Sequence, residues 1–366
     1  MKYYFKTEQM SVGYEKQPLI EEIEIGLEKG EILTLIGPNG AGKSTVLKSI
    51  AGQLALLGGK VYLGERSLEN MSGKELSQSM AVVLTEKLRT EMMTCEDVVA
   101  TGRYPYTGRF GILSAGDCQA VKEAMELVHV TGIRNQDFRH ISDGQRQRVM
   151  LARAICQEPE IIILDEPTSY LDVKYKLEFL SVLQEMKREK KLTVIMSLHE
   201  LELAERISDK ILCLNGKYVE RFGRPEEIFE KGYLSKLFGI AQGSLDEENG
   251  NMELPAAKGN VEVFVIAGGG TGRIIYRRLQ RQGIPFATGI LFQNDLDYPA
   301  ARALAAELIE AEAFEPIADR RLAEAKKRLD ACEKVICCRK AFGTLERANQ
   351  ELLDYARRCG KQIEFK

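Results

Sequence analysis

The sequence predicts an α/β protein in two parts, a P-loop nucleotide-binding domain followed by a small Rossmann-like domain. Three observations predict it. An apolar run, Glu31–Ile36, leads into Gly37-Pro-Asn-Gly-Ala-Gly-Lys-Ser-Thr45 and then into a stretch free of Gly and Pro as far as Ala51. A second aliphatic run, Ile161-Ile-Ile-Leu164, ends in Asp165-Glu166. After a polar stretch at 241–259, apolar runs and helical patterns alternate again from Val261.

The first stretch has the spacing G-x-x-x-x-G-K-S, in the strand–loop–helix context that a phosphate-binding loop requires. Gly37, Gly40 and Gly42 let the backbone curl, so that N–H groups between Gly37 and Thr45 (Pro38, which has none, aside) turn inward onto phosphate. Residues Asn39 and Ala41 complete the loop. The helix start adds the positive end of a dipole. Lys43 suits the β- and γ-phosphates, and the Ser44 hydroxyl suits Mg²⁺. Upstream, Ser11-Val-Gly-Tyr14 sets an aromatic ahead of the loop. Tyr14 has the face to stack on adenine, although an ordinary strand aromatic reads the same way.

Composition narrows the classes. A chain of 366 residues exceeds one ordinary core, which favours two domains. A net charge of −3 provides no basic field for nucleic acid. The N-terminus alternates apolar and polar residues like a strand and has no apolar signal region. No apolar run approaches the roughly 18 residues of a membrane span, so any membrane role is expected through a partner. Cysteines lack a C-x-x-C pair and fall mostly in apolar segments, as reduced core residues do; metal binding by Cys332, Cys337 and Cys338 is the weaker alternative.

Within the first domain, Lys60–Leu63 with Gly64 reads as hairpin and Met80–Leu84 as a buried strand. Residues 87–150 turn helical, from Thr94 or Glu96 to Ala100 and from Gly116 through Val130. Ser142 is a good N-cap for the helix that ends at Cys156, and that helix start could hold an anion. Four aliphatics at 161–164 suit a central parallel strand; Asp165 then stands where Mg²⁺ needs a carboxylate, and Glu166 where a base would face the γ-phosphate. Tyr175–Lys190 reads as helix and Leu192–Met196 as strand. His199 follows at the strand-end edge where open α/β sheets bind ligands. Lys210–Val219 suggests a hairpin turning at Asn215-Gly216, and Pro225–Phe229 a short helix.

Together these motifs resemble the ATP-binding subunit of ABC transporters over residues 1–240, with a helical subdomain at about 87–150. The phosphate loop is Gly37–Thr45, the signature Ile141-Ser-Asp-Gly-Gln145, the carboxylate strand Ile161–Glu166, the D-loop Ser169–Asp172 and the switch histidine His199. Ser142 precedes Asp165 by 23 residues, and Asp165 precedes His199 by 34, as in that family. Two departures stand out. Ile141 and Asp143 replace the usual Leu and Gly of the signature, and Thr85-Glu86 stands where the family carries a glutamine; either Thr85 or Glu86 could reach Mg²⁺ or its water. The stretch Asp97–Pro105, with Gly111 and Asp117, is similar to importer ATPases for iron-siderophores, haem and cobalamin.

The resemblance implies a RecA-like core with antiparallel β and helical subdomains. It also implies a head-to-tail homodimer at the cytoplasmic face of the membrane, bound to permease subunits and served indirectly by a substrate-binding protein. ATP and Mg²⁺ on Lys43, Ser44 and Asp165 of one copy would be closed over by Ser142, Gly144 and Gln145 of the other, with Glu166 and His199 catalytic. The rivals are a soluble ABC ATPase of nucleic-acid repair or translation, which the charge and the short insertion disfavour, and a ligand-regulated ATPase with the second domain as sensor.

The second domain is expected at 260–366, behind a linker at 241–259. Its elements are a strand at Val261–Ala267, a turn at Gly268–Gly272, a helix at Arg273–Gln282 and a strand at Phe286–Phe292. Helices at Ala300–Ala311, Asp319–Leu329 and Leu345–Arg358 follow, with a strand at Lys334–Cys338. The dinucleotide spacing fails at Arg273, while Asp295 and Asp297 stand roughly where a ribose-binding acid belongs. A sensor or dimerisation role without ligand is the leading expectation. The stretch looks like an extension found on some importer ATPases of this group.

Overall fold

The computed structural model describes residues 3–84, 92–108, 110–247 and 250–366. It divides into two compact units, Met1–Phe238 and Gly239–Lys366.

The first unit is built on a six-stranded sheet. Its order is Val219–Gly223, Lys210–Leu214, Ile32–Ile36, Thr193–Ser197, Ile161–Leu164 and Met80–Val83. All neighbours run parallel except the antiparallel edge strand Val219–Gly223. Three of the four inner strands, Ile32–Ile36, Thr193–Ser197 and Ile161–Leu164, are buried at every residue, as a parallel sheet covered on both faces requires. A second, mainly antiparallel sheet contains Gln17–Ile23, Phe5–Tyr14, Gly58–Leu63 and Arg66–Ser67, with Gly26–Leu27 on Phe5–Tyr14. Phe5, Met10, Val12 and Val61 of this sheet share one core with Leu33, Leu35 and Ile163 of the first and with Val46 and Leu47 of the helix Lys43–Ile50.

The helical insertion packs Cys95–Ala100, Ala115–Leu127 and Asp143–Cys156 together. Each of the three opens with a capping box, at Thr94/Asp97, Ser114/Asp117 and Ser142/Gln145. Such a cap satisfies two of the helix's orphan N–H groups and is typically worth about 1 kcal/mol. Arg103 ties the group together. Buried itself, it donates to Asp117 Oδ1 at 2.8 Å, to the Cys156 carbonyl at 2.7 Å and to Glu158 at 2.8 Å. Gly102 permits this approach, since a Cβ there would lie 2.3 Å from the Arg153 carbonyl oxygen.

The second unit carries five parallel strands in the order Glu307–Ala311, Phe286–Phe292, Val263–Ile266, Lys334–Cys337 and Gln362–Phe365. Helices cover both faces: Arg273–Arg281 and Tyr298–Leu304 supply one core, Asp319–Asp330 and Arg347–Arg358 the other. Tyr276 stacks on Phe286 with ring centroids 5.2 Å apart and places its hydroxyl 2.8 Å from Thr288 Oγ1. That packing demands Gly272, where a Cβ would meet the Tyr276 ring at 2.6 Å and Ala267 Cβ at 2.7 Å.

Several expectations are corrected. The stretch expected as a linker at 241–259 contains a hairpin, Ser244–Asp246 paired with Asn251–Glu253. Its nearly buried Glu253 is held 2.6 Å from Arg277, so the two paired strands belong to the second unit. The helix expected over Ala300–Ala311 stops at Leu304, and Glu307–Ala311 is an edge strand on Phe286–Phe292; pairing in the sheet overrides the helical propensity of Ala, Glu and Leu. The final strand, Gln362–Phe365, was not expected. Asn215-Gly216 lies in a four-residue turn between Leu214 and Val219, with Asn215 Oδ1 accepting from the Lys217 and Tyr218 amides. Among the described residues no helix is long and apolar enough to cross a membrane.

Candidate functional site

The loop Gly37–Gly42 leaves the C-terminal end of the buried strand Ile32–Ile36 and enters the helix Lys43–Ile50. Its glycines are required by geometry. Gly37 has φ 148°, and a Cβ there would sit 2.1 Å from the Leu214 carbonyl oxygen; Gly42, at φ 92°, caps the helix. Lys43 folds back over the loop, donating to the carbonyls of Gly37 at 2.8 Å and Pro38 at 3.0 Å. Burial lowers the proton affinity of its ammonium below the usual lysine range, and the nearby charges of Glu166 and Asp165 oppose that shift. Tyr14, half exposed, places its hydroxyl 3.3 Å from Thr45 Oγ1.

The carboxylates arrive from the adjoining strands. Asp165 follows Ile161–Leu164 directly and is 2% exposed. Ser197, the last residue of Thr193–Ser197, donates its hydroxyl to Asp165 Oδ1 at 2.7 Å and accepts the Glu166 amide at 2.9 Å. Glu166 itself sits at φ 49°, a left-handed conformation uncommon for a residue with a side chain. Its Oε1 lies 2.5 Å from His199 Nε2. Just beyond, Thr168 donates to Glu200 at 2.9 Å, and Glu200 pairs with Lys176 at 2.5 Å.

The structure thus gathers Lys43, Asp165, Glu166 and His199 at the C-terminal ends of the parallel strands, where α/β sheets bind ligands. Sequence reasoning missed Ser197, Glu200 and Lys176. The only signal for Ser197 is a hydroxyl closing a central strand one register beside Asp165; Glu200 and Lys176 carry no motif.

Ser142, Gly144 and Gln145 are arranged differently. Ser142 and Gln145 satisfy each other in the capping box, at 3.3 and 2.9 Å. Gly144 packs on the segment after Glu166, where an added Cβ would lie 3.3 Å from the Tyr170 carbonyl oxygen. Among the described residues no hydrogen bond joins this helix start to Gly37–Thr45. Asp172 caps the following helix by accepting the Tyr175 amide at 3.0 Å. Thr85 and Glu86 lie outside the described residues.

The donor set fits Mg²⁺. The Ser44 hydroxyl at the helix start and the buried Asp165 carboxylate, already aimed by Ser197, are the hard oxygen ligands this ion takes.

The second glycine-rich loop, Gly268–Gly272, has the same strand–loop–helix setting but a different electrostatic state. Its amides are taken by the chain's own carboxylates. Asp295 accepts from the Gly269 N–H at 2.8 Å, while the fully buried Asp297 accepts from Gly272 at 2.8 Å and Arg273 at 3.0 Å. The two acids therefore do not stand free as ribose ligands; they occupy the positions a bound phosphate would take. The thiols of Cys332 and Cys337 donate to backbone carbonyls, and burial raises the pKa of both.

Comparison with known proteins agrees with this geometry. The family described as ABC transporter matches residues 20–169, and the MJ0874 family matches residues 286–365. An uncharacterized ABC transporter ATP-binding protein of Methanocaldococcus jannaschii is 41% identical over 287 residues, covering 78% of this chain and 99% of the relative. The iron(3+)-hydroxamate import ATP-binding protein of Bacillus subtilis is 35% identical over 234 residues, covering 64% of this chain and 87% of its own length. Among solved structures, the ATP-binding subunit of an ABC transporter superposes with a TM-score of 0.57 at 26% identity, over 64% of this chain and 97% of that one.

Proposed function

The chain belongs to the ATP-binding subunits of ABC transporters and is an ATP hydrolase; we propose from that premise that it works as a homodimer powering uptake of an iron-siderophore, haem or cobalamin-type cargo through permease partners. The cargo class rests on the likeness of Asp97–Pro105 to importer ATPases and on the hydroxamate-import relative.

The observation that carries the hydrolytic reading is the hydrogen-bonded run from Asp165 through Ser197 and Glu166 to His199, beside Lys43. The loop amides and Lys43 bind and orient the β- and γ-phosphates. Ser44 and Asp165 would hold Mg²⁺, which neutralises charge on the phosphates when bound. Glu166, held from its amide by Ser197, takes the proton of the attacking water. His199 orients the Glu166 carboxylate and would contact the γ-phosphate of bound ATP.

The dimer follows from the signature. Ser142, Gly144 and Gln145 form an anion-suited helix start that makes no hydrogen bond to the loop of its own chain among the described residues. A second copy supplies the missing contact in a head-to-tail pair. Two measurements test the reading. Glu166→Gln protein given ATP should run at twice its monomer mass in sedimentation; ATP-saturated monomer would remove the homodimer. The tagged chain should co-purify with a polytopic membrane protein, and its deletion should abolish uptake of labelled ferric hydroxamate, haem or cobalamin. Unchanged uptake of all three would remove the cargo class.

A further inference from the structure

We propose that the second unit binds an organic phosphate, a phosphate ester on a flat ring, in a basic cavity beside its last two strands rather than on its glycine-rich loop. The loop is closed to such a ligand because Asp295 and Asp297 already accept from Gly269, Gly272 and Arg273. A phosphate there would have to displace two carboxylates, one of them fully buried.

The cavity lies elsewhere on the same functional edge. It measures about 530 Å³, within the range of small-molecule sites. Its lining includes Arg339, Lys340 and Phe342, which follow the strand Lys334–Cys337, Arg357 of the helix Arg347–Arg358, and Phe365 and Lys366. This is the carboxyl end of the parallel strands Lys334–Cys337 and Gln362–Phe365. Four cationic side chains and no acidic side chain line it. Three of them are oriented by acids outside the lining: Arg339 by Glu346 at 2.6 Å, Arg357 by Asp354 at 3.0 Å and Lys366 by Glu364 at 3.0 Å. Lys340 has no hydrogen-bond or ion-pair partner among the described residues.

Charge selects an anion, and guanidinium groups favour phosphate through paired donors. Phe365 supplies the rest of the specificity. Phe365 is 56% exposed beside Arg357, whose guanidinium carbon lies 5.7 Å from its ring centroid. An exposed ring and a planar cation at one mouth suit stacking of a flat ring. Inorganic phosphate would use only half of this site.

The test is titration calorimetry on the full chain with flavin mononucleotide and uridine monophosphate as probes, and riboflavin and inorganic phosphate as single-feature controls. At least one phosphate ester should bind saturably, at least about tenfold more tightly than either control, the loss expected when charge-assisted contacts or stacking are missing. Lys340→Gln with Arg357→Gln should weaken it about tenfold or more, while Lys43→Ala should leave it unchanged. A circular-dichroism melt matching the parent establishes that the double variant is folded; if it is not, Lys340→Gln alone serves. Failure of both esters to bind, binding unaltered in a folded cavity variant, or binding lost with Lys43→Ala would each overturn the proposal.

Discussion

The two glycine-rich loops of this chain begin alike and end in opposite electrostatic states. Each leaves a buried parallel strand and opens a helix, and in each a glycine is demanded by collision: Gly37 against the Leu214 carbonyl, Gly272 against Tyr276 and Ala267. In the first, a buried lysine reaches back across the loop, and among the described residues no carboxylate of the chain accepts from its amides. In the second, three amides are satisfied by Asp295 and Asp297. Glycine permits a backbone to cradle an anion; which anion fills the cradle is decided by acids elsewhere in the sequence.

The comparison breaks first at the chemistry. If Gly37–Thr45 is the catalytic cradle, Glu166→Gln should retain ATP binding and lose at least about a hundredfold in turnover, the scale of general-base catalysis. Phosphate release alongside equilibrium nucleotide binding checks both halves. Turnover within a fewfold of the parent would reject Glu166 as the base.

The second effect falls on the other loop. Asp297→Ala removes a fully buried carboxylate and leaves the Gly272 and Arg273 amides without their acceptor. Stranding buried donors in this way should cost about 3 kcal/mol, read as a lowered urea midpoint for the transition of the second unit. A variant as stable as the parent would mean that water or another group satisfies those amides, and the likeness to a plugged phosphate site would fall.

These two loops also mark how far the sequence could be read. The first was legible because its signal is local: strand, glycines, lysine and helix lie within about twenty residues, even though the atoms that crowd Gly37 and Gly42, the Leu214 carbonyl and the Leu19 and Ile20 side chains, come from elsewhere in the chain. Asp165, Glu166 and His199 were legible because each ends a recognisable aliphatic strand or follows one. The second loop was not legible, because its meaning depends on acids 24 to 26 residues away whose hydrogen bonds no spacing rule encodes. Asp295 and Asp297 stood out in the sequence, but as ligands for a ribose. The edge strand Glu307–Ala311 was hidden behind helix-forming residues, and Ser197 behind the ordinary look of a strand-ending serine.

Ser197 gives the third prediction. It bridges Asp165 and the Glu166 amide. Ser197→Ala should lower kcat about tenfold through loss of aim, roughly 1.4 kcal/mol and near the low end of what a hydrogen bond to a charged group contributes. KM for ATP should hold, and Ser197→Thr should restore most of the rate. An unaltered kcat in Ser197→Ala would leave the serine a structural residue only.

The smallest effect separates what covers each loop. Tyr14 stands beside the first, its hydroxyl 3.3 Å from Thr45; Leu296 lies over Gly270 in the second, close enough that a Cβ there would meet it at 3.6 Å. An aromatic face offers a base something to stack on, whereas an aliphatic side chain offers only cover. Tyr14→Ala should therefore raise KM for ATP about fivefold, roughly 1 kcal/mol of stacking, with kcat unchanged. Tyr14→Phe keeps the ring and removes only the hydroxyl contact, so its KM should stay within about twofold of the parent. Equal losses in the two variants would assign the effect to the Thr45 contact, making Tyr14 a support of the helix Lys43–Ile50 rather than a platform for adenine.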